Sequence, residues 1–176
     1  MVMSIQDAVQ LIATIPLNTG PTTWVDLGAG TGTFTKALAQ ILPKDSTIYA
    51  IDQKKRDLRQ IPDIFQEVNL IKQKGDFTAL AFPDELDGFM MANALHYVRK
   101  KTDLLERLQS KLIPGGHCLI IEYDTRKANP WVPYPIPFLD LASLLEECGF
   151  KEIRKIGTRP SIYGNGMIYA ASAKKG

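Results

Sequence analysis

The chain has 176 residues, of which 45% are hydrophobic and 23% charged; this composition indicates one globular domain over 1–176 and excludes the disordered, collagen-like and coiled-coil classes. Its 21 basic and 19 acidic residues leave a net charge of +2, which disfavours nucleic acid as an obligate partner because such binding depends on neutralising phosphates. The sequence has no apolar stretch of about 18 residues and no basic start typical of a secretion signal, so we expect a cytoplasmic protein without a membrane span.

Short apolar runs alternate with helical patterns along most of the chain, which is typical of a parallel sheet covered by helices on both faces. In chain order the patterns predict a helix over 4–14, a strand over 22–27, a helix over 32–42, a strand over 46–51, a helix over 54–67, strands over 68–74 and 86–92, a helix over 100–113, a strand over 117–123 and a helix over 138–148. Pro62 is a candidate break in the third helix. The fold class is therefore α/β.

Two extended segments end the chain, over 150–158 and 166–174, and only a short turn containing Asn165 and Gly166 separates them. A parallel crossover needs a longer connection, so the two segments can pair only as an antiparallel hairpin. We therefore expect the last strand to run against the rest of the sheet.

The two cysteines, Cys118 and Cys148, lie far apart, one within an apolar run and the other near a predicted helix end. Neither has a close cysteine or histidine at the spacing of a metal site. We expect both to be buried free thiols, and we expect no bound metal.

A glycine-rich loop within VDLGAGTGTF, residues 25–34, connects the first predicted strand to the next helix. Glycines at such a junction let the backbone approach a ligand closely, and the helix N-terminus offers unpaired N–H groups to an anion. The dinucleotide fingerprint G-x-G-x-x-G does not match because Gly32 comes one residue early, and no lysine follows as in a phosphate-binding loop. A tight turn without a ligand is the alternative.

This stretch resembles the first motif of the class I S-adenosylmethionine-dependent methyltransferases. The resemblance implies that S-adenosylmethionine is the cofactor. It also implies that Asp26, Gly28, Gly30 and Gly32 bind that molecule, and that the bare backbone of the three glycines makes room for its methionine end.

The resemblance extends to the ends of the next strands. In this family an acid ending the second strand holds the two ribose hydroxyls, which implies this role for Asp52, with Gln53 beside it in the cofactor site. A carboxylate suits the role because it accepts two hydrogen bonds at once, although Asp52 alone would equally suit the ribose of NAD.

The third and fourth strands are followed by further matching residues. Asp76 and Phe77 match the acid and the apolar neighbour that contact the adenine, with a loop acid and a core phenylalanine as the alternative interpretation. Asn93 matches the segment that faces the methionine end.

The turn KLIPGG at 111–116 and the terminal hairpin also resemble this family. The resemblance implies a Rossmann-like three-layer α/β/α sandwich with a mostly parallel seven-stranded sheet. The implied strand order is 3-2-1-4-5-7-6, with the last strand antiparallel.

Methyl transfer from a sulfonium needs few catalytic residues, because the methyl group is already activated. His96, at the carboxyl end of the fourth strand, is the candidate general base, and a packed residue next to the cofactor is the alternative. His117 begins the fifth strand at the opposite end of the sheet, so we expect a structural role for it.

The acceptor is expected at two loops on the carboxyl edge of the sheet, one after the fifth strand and one within the terminal hairpin. Aromatic residues there would form walls, and basic residues would hold a carboxylate or phosphate. The candidate residues are Tyr123, Arg126, Lys127, Trp131, Tyr134, Arg159 and Tyr163. A proline-stiffened loop with solvated charges is the alternative.

The chain is most similar to the small methyltransferase-domain proteins grouped with the ubiquinone and menaquinone biosynthesis C-methyltransferases. It lacks most of their N-terminal helical extension, which favours an open site or a partner that closes it.

The resemblance implies methyl transfer to a small-molecule acceptor. Alternatives are a non-catalytic subunit with the same fold, or methylation of RNA or protein. The absence of an Asn-Pro-Pro-Tyr motif after the fourth strand disfavours exocyclic amines of DNA.

Overall fold

The computed structural model describes residues 3–17, 19–83, 85–161 and 166–176. The elements in chain order are α1 Ile5–Ile12, β1 Thr23–Leu27, α2 Thr33–Ile41, β2 Thr47–Asp52, α3 Lys55–Leu58, β3 Ile64–Phe65, β4 Val68–Lys74, β5 Leu86–Ala92, a short 3-10 helix Leu95–Tyr97, α4 Lys101–Lys111, β6 Leu112–Tyr123, α5 Phe138–Glu147, β7 Phe150–Pro160 and β8 Met167–Lys175. No helix in these ranges is both long and apolar enough to cross a membrane.

In the described residues, eight strands form one sheet in the order β3-β4-β2-β1-β5-β6-β8-β7. The central strands from β4 to β6 pair in parallel, while β8 pairs antiparallel with both β6 and β7. The α/β class and the reversed last strand are therefore confirmed. The seven predicted strands lie in the expected relative order, and the sheet differs by the additional strand β3 at its edge.

The predicted helix over 54–67 is wrong in most of its length. Only Lys55–Leu58 is helical, and β3 then pairs antiparallel with β4. Pro62 explains the early end, because proline removes a backbone donor and clashes with the preceding turn. Gln66 and Glu67 both have positive φ values, 52° and 62°, as a two-residue hairpin turn requires.

The helices cover the sheet on both faces. Along β5, Phe89 and Met91 pack in the core beneath α4 and α5, whereas Met90 packs in the core beneath α1 and α2. This alternation follows from the two-residue period of a strand, and it gives each face of the sheet its own apolar core. Cys118 and Cys148 are buried free thiols, as expected.

Candidate active site

The glycine loop is shaped by its neighbours. Gly28 has φ +83°, and a Cβ there would lie 2.7 Å from the Ala94 Cβ in the segment after β5. Gly32 has φ +84°, and its Cβ would lie 2.6 Å from the Ile61 side chain. These two positions require glycine for both conformation and space. The N–H groups of Gly28 and Ala29 donate to the Ile51 carbonyl at 2.9 and 3.0 Å, which anchors the loop to β2.

A cavity of about 240 Å³ opens above this loop. We call it the loop cavity; its walls are the glycine loop together with Asp26, Phe34, Asn93 and Tyr123. It lies where β1, β5 and β6 end, at the carboxyl edge of the parallel strands, which is where open α/β sheets bind ligands.

Two buried oxygen atoms of residues that line the loop cavity have no hydrogen-bond donor in the described part of the chain. They are Asp26 Oδ1 and Asn93 Oδ1. The other carboxylate oxygen of Asp26 accepts from the Thr35 hydroxyl. Burial raises the pKa of Asp26 to about 7. Because unpaired buried acceptors are costly, the cavity is suited to a ligand that brings its own donors, such as an ammonium group.

Asn93 has an unusual backbone. Its φ is +52°, and its N–H donates to the Ile121 carbonyl at 2.8 Å. Asparagine tolerates the left-handed region better than most residues, and such conformations cluster at functional sites.

Asp52 ends β2 and joins two segments of the site. Its Oδ2 accepts from the Gly30 N–H at 2.9 Å, and its Oδ1 accepts from the Lys54 N–H at 2.8 Å. A carboxylate oxygen has more than one lone pair, so both oxygens retain capacity to accept from a ligand. Gln53 is exposed beside it.

The loop after β4 is held in a tight turn. Asp76 Oδ1 accepts from the Thr78 hydroxyl at 2.6 Å and from the Thr78 N–H at 2.8 Å, and these bonds lower the pKa of Asp76. Phe77 is half-buried, and its ring lies 3.7 Å from where a Gly28 Cβ would be. The structure thus brings the Asp76–Phe77 loop to the glycine loop.

Arg107 supports this loop from α4, and sequence reasoning missed it. Its guanidinium donates to the carbonyl oxygens of Phe77 at 2.5 Å and Thr78 at 2.8 Å. The two partners lie 30 and 29 residues earlier in the chain. An arginine within an amphipathic helix carries no local signal that would predict this contact.

His96 and Glu122 form a buried pair at the end of β5 and β6. The His96 ring nitrogen Nδ1 lies 2.8 Å from Glu122 Oε2, and the His96 N–H donates to Oε1 at 3.0 Å. The residues are 2% and 0% exposed. Sequence reasoning missed Glu122; the signal was an acid in the apolar run CLIIEY, where a strand buried on both faces has no reason to carry a charge.

A second cavity, of about 870 Å³, lies beside the pair. We call it the aromatic cavity; its walls include His96, Tyr97, Tyr123, Trp131, Val132 and Met167. Asn93 and Tyr123 line both this cavity and the loop cavity. The two cavities are therefore neighbours that share a wall.

Four further predicted acceptor residues are not among the described residues that line the aromatic cavity: Arg126, Lys127, Tyr134 and Arg159. Arg126 forms an ion pair with Asp140 at 2.6 Å, and Arg159 forms one with Asp7 at 3.1 Å. Tyr134 donates its N–H to the His96 carbonyl at 3.0 Å. Tyr163 lies outside the described residues.

His117 is far from these cavities, at the amino end of the parallel strands. It is buried, its ring stacks on Trp24 with 6.1 Å between ring centres, and burial lowers its pKa. It lies opposite Gly88 of β5, and its structural role stays a prediction.

Several known proteins are similar to this chain in sequence motif or in fold. The family described as Methyltransferase domain matches residues 25–120. The YcgJ protein from Bacillus subtilis is similar over 97% of this chain and 98% of its own, with a TM-score of 0.75 and 12% identity. An S-adenosylmethionine-dependent methyltransferase from Mesorhizobium loti is similar over 98% and 100%, with a TM-score of 0.74 and 18% identity. No curated protein matches the chain.

A third structure, a SAM-dependent methyltransferase from Aquifex aeolicus, is similar over 96% of this chain and 89% of its own, with a TM-score of 0.70 and 19% identity. These likenesses show the fold, while the family match spans the glycine loop and the ends of β2, β4 and β5. The grouping with quinone C-methyltransferases stays a prediction. The chain belongs to the methyltransferase-domain family, with the class I fold whose cofactor is S-adenosylmethionine.

Proposed function

We propose that this protein transfers the methyl group of S-adenosylmethionine to a small-molecule acceptor in the cytoplasm. The observation that carries the proposal is the shared wall of the two cavities: Asn93 and Tyr123 line both, and His96 lies on the side of the aromatic cavity. A cofactor in the loop cavity and an acceptor in the aromatic cavity would then meet along this wall, as in-line transfer requires.

The residues around the loop cavity fit the cofactor. Asp26 and Asn93 would accept hydrogen bonds from its amino group, since each offers a buried oxygen that lacks a donor in the described chain. Asp52 would accept from the ribose, and the Asp76–Phe77 loop would contact the adenine. When bound, S-adenosylmethionine supplies a methyl group already activated by its sulfonium.

His96 would act as the general base. Glu122 accepts from Nδ1–H, which leaves Nε2 to take a proton from the acceptor, and it stabilises the imidazolium that results. The buried carboxylate also holds the ring in one orientation, so Glu122 is a positioning residue for His96.

Cofactor binding is tested by calorimetry with S-adenosylmethionine and S-adenosylhomocysteine. We expect both to bind, and we expect Asp52→Ala to weaken binding by about 1–3 kcal/mol through the loss of charge-assisted hydrogen bonds. Absence of binding by either molecule would sink the proposal.

Catalysis is tested with S-adenosylmethionine radiolabelled in its methyl group and a cell extract that contains small metabolites, RNA and protein. His96→Gln is expected to lower kcat by about 100-fold or more, with unchanged affinity for the cofactor. His117→Gln is the matched control, because it changes the chain's other histidine at the far end of the sheet. Label found only in RNA or protein, and removed by ribonuclease or protease, would contradict a small-molecule acceptor.

A further inference from the structure

The described walls of the aromatic cavity lack charged side chains. No lysine, arginine, aspartate or glutamate is among the described residues that line it. The His96 ring lines the cavity and is hydrogen-bonded to the buried carboxylate of Glu122. A proton gained by the ring would therefore be balanced within the pair, leaving no net positive charge for an anionic ligand.

Two basic side chains that are not among the described cavity walls, Arg126 and Lys155, are paired with acids. Arg126 makes two hydrogen bonds to Asp140, at 3.0 and 2.6 Å. Lys155 lies 3.0 Å from an Asp124 oxygen. An anionic acceptor in the cavity would lose hydration and meet no cation among the described residues that line it, which is costly for a buried charge.

The rim of the same cavity is strongly apolar and exposed. Trp131 is 76% exposed, and Tyr97 and Met167 are exposed beside it. The turn that presents Trp131 is held in place, because Asn129 Oδ1 accepts from the N–H groups of Trp131 and Val132 at 2.9 and 3.0 Å. A large aromatic side chain fixed in water on a cavity rim gains free energy when an apolar ligand covers it.

We propose that the acceptor is an uncharged, largely apolar aromatic molecule, and that the site rejects carboxylated and phosphorylated analogues. This inference rests on the proposed function and names the class of substrate for it. It replaces the expectation from the sequence that Arg126, Lys127 and Arg159 hold an anion. The volume of about 870 Å³ is within the range of cavities that enclose small organic ligands.

The test uses three probes that share one ring system: 2-naphthol, 2-naphthoate and 2-naphthyl phosphate. Binding of each is measured by calorimetry with saturating S-adenosylhomocysteine, so the readout does not depend on turnover. We expect 2-naphthol to bind at least about tenfold more tightly than either anion, because only the neutral probe avoids burying an unpaired charge. Equal or tighter binding of an anion would overturn the inference.

Variants of the cavity wall make the test independent of the probe's shape. Thr125 lines the cavity and is half-buried on the loop after β6. Thr125→Lys is expected to raise the affinity for 2-naphthoate by about tenfold, whereas the uncharged control Thr125→Gln should not. Lys127→Gln should leave all affinities unchanged, and a selective loss of anion binding in that variant would show a cation in the site and contradict the inference.

The two proposals fail in different ways. If S-adenosylhomocysteine itself does not bind, the proposed function is wrong. If it binds but none of the three probes does, or the anions bind best, the proposed function stands and the uncharged aromatic class is wrong.

Discussion

Asp26 combines complete burial with an incomplete set of hydrogen bonds. It is 1% exposed, Thr35 donates to one of its oxygens, and the other has no donor in the described chain. Burial raises its pKa from 3.8 to about 7, so near neutral pH the ligand-free side chain is partly protonated. An ammonium group placed beside it would favour the ionised form, which couples ligand binding to release of a proton.

We therefore expect affinity for S-adenosylhomocysteine to rise as pH increases through about 7, since a greater fraction of Asp26 is then ionised before binding. Calorimetry in buffers with different ionisation enthalpies should detect the released proton. Asp26→Asn should bind S-adenosylhomocysteine about tenfold more weakly and should lose the contribution of Asp26 to the pH dependence. Any pH dependence that remains in this variant comes from titration of other groups, including the ligand, and is subtracted. The same pH profile in both proteins would contradict the assignment.

Gly28 is predicted to tolerate no side chain. Gly28→Ala would place Cβ 2.7 Å from the Ala94 Cβ at φ +83°, so it meets both a clash and backbone strain. We expect a loss of about 2–4 kcal/mol in the free energy of unfolding, measured with urea. Gly30→Ala is the matched control, because φ is +53° there and no atom lies within 4 Å of the added Cβ. Equal losses in the two variants would show that the contact with Ala94 is unimportant.

At the scale of elements, α4 does more than cover the sheet. Arg107 reaches from this helix to the carbonyl oxygens of Phe77 and Thr78, so the helix supports the turn that Asp76 begins. The loop would otherwise depend on its local hydrogen bonds, which lie near the surface.

Arg107→Gln is expected to weaken S-adenosylhomocysteine binding by about tenfold, because two charge-assisted bonds that order the loop are lost. Hydrogen exchange at residues 76–80 should become faster. Arg99→Gln removes an exposed charge of the same kind just before α4 and should change neither measurement. Unchanged exchange in the Arg107 variant would show that the loop is ordered without the helix.

At the scale of the molecule, His117 makes the stability of the fold depend on pH. It lies at the amino end of the parallel strands, opposite the candidate active site. His117 is buried against Trp24, and burial lowers its pKa below the ordinary value of 6.5. Between the lowered pKa of His117 in the folded chain and its ordinary pKa in the unfolded chain, only the unfolded chain binds the proton. Stability therefore increases as pH rises toward about 6.5, and it levels off above that pH.

His117→Phe should remove this contribution while keeping an aromatic ring against Trp24. The free energy of unfolding of the wild type, relative to the variant, is expected to rise as pH increases toward about 6.5, by at most about 1.4 kcal/mol per pH unit. Urea unfolding across this range checks it. A difference that does not change with pH would show that the His117 ring titrates normally in the folded protein.

Most of the architecture follows from patterns that are local in the sequence. Apolar runs, helical periodicity and the short hairpin connection predicted the parallel strands and the reversed last strand. The glycine loop and Asp52 were also recognisable, because a bare strand-to-helix turn and an acid at a strand end are signals within a few residues. One exception was β3, where the helical pattern of 54–67 competed with Pro62 and with pairing to β4. Another was the expected turn at 111–116, most of which lies within β6.

The partners of the site residues were decided only by the tertiary structure. Glu122 meets His96 across 26 residues, and Arg107 meets Phe77 across 30. Arg126, one of the two arginines predicted to bind an anion, is instead paired with Asp140, 14 residues away. Backbone periodicity determines which face of an element a residue occupies, but hydrogen bonds and ion pairs depend on which distant side chains packing brings within about 3 Å. The sequence by itself thus determined the fold class and the candidate residues at the strand ends, and the packed structure decided which carboxylate lies beside His96 and which acid pairs with Arg126.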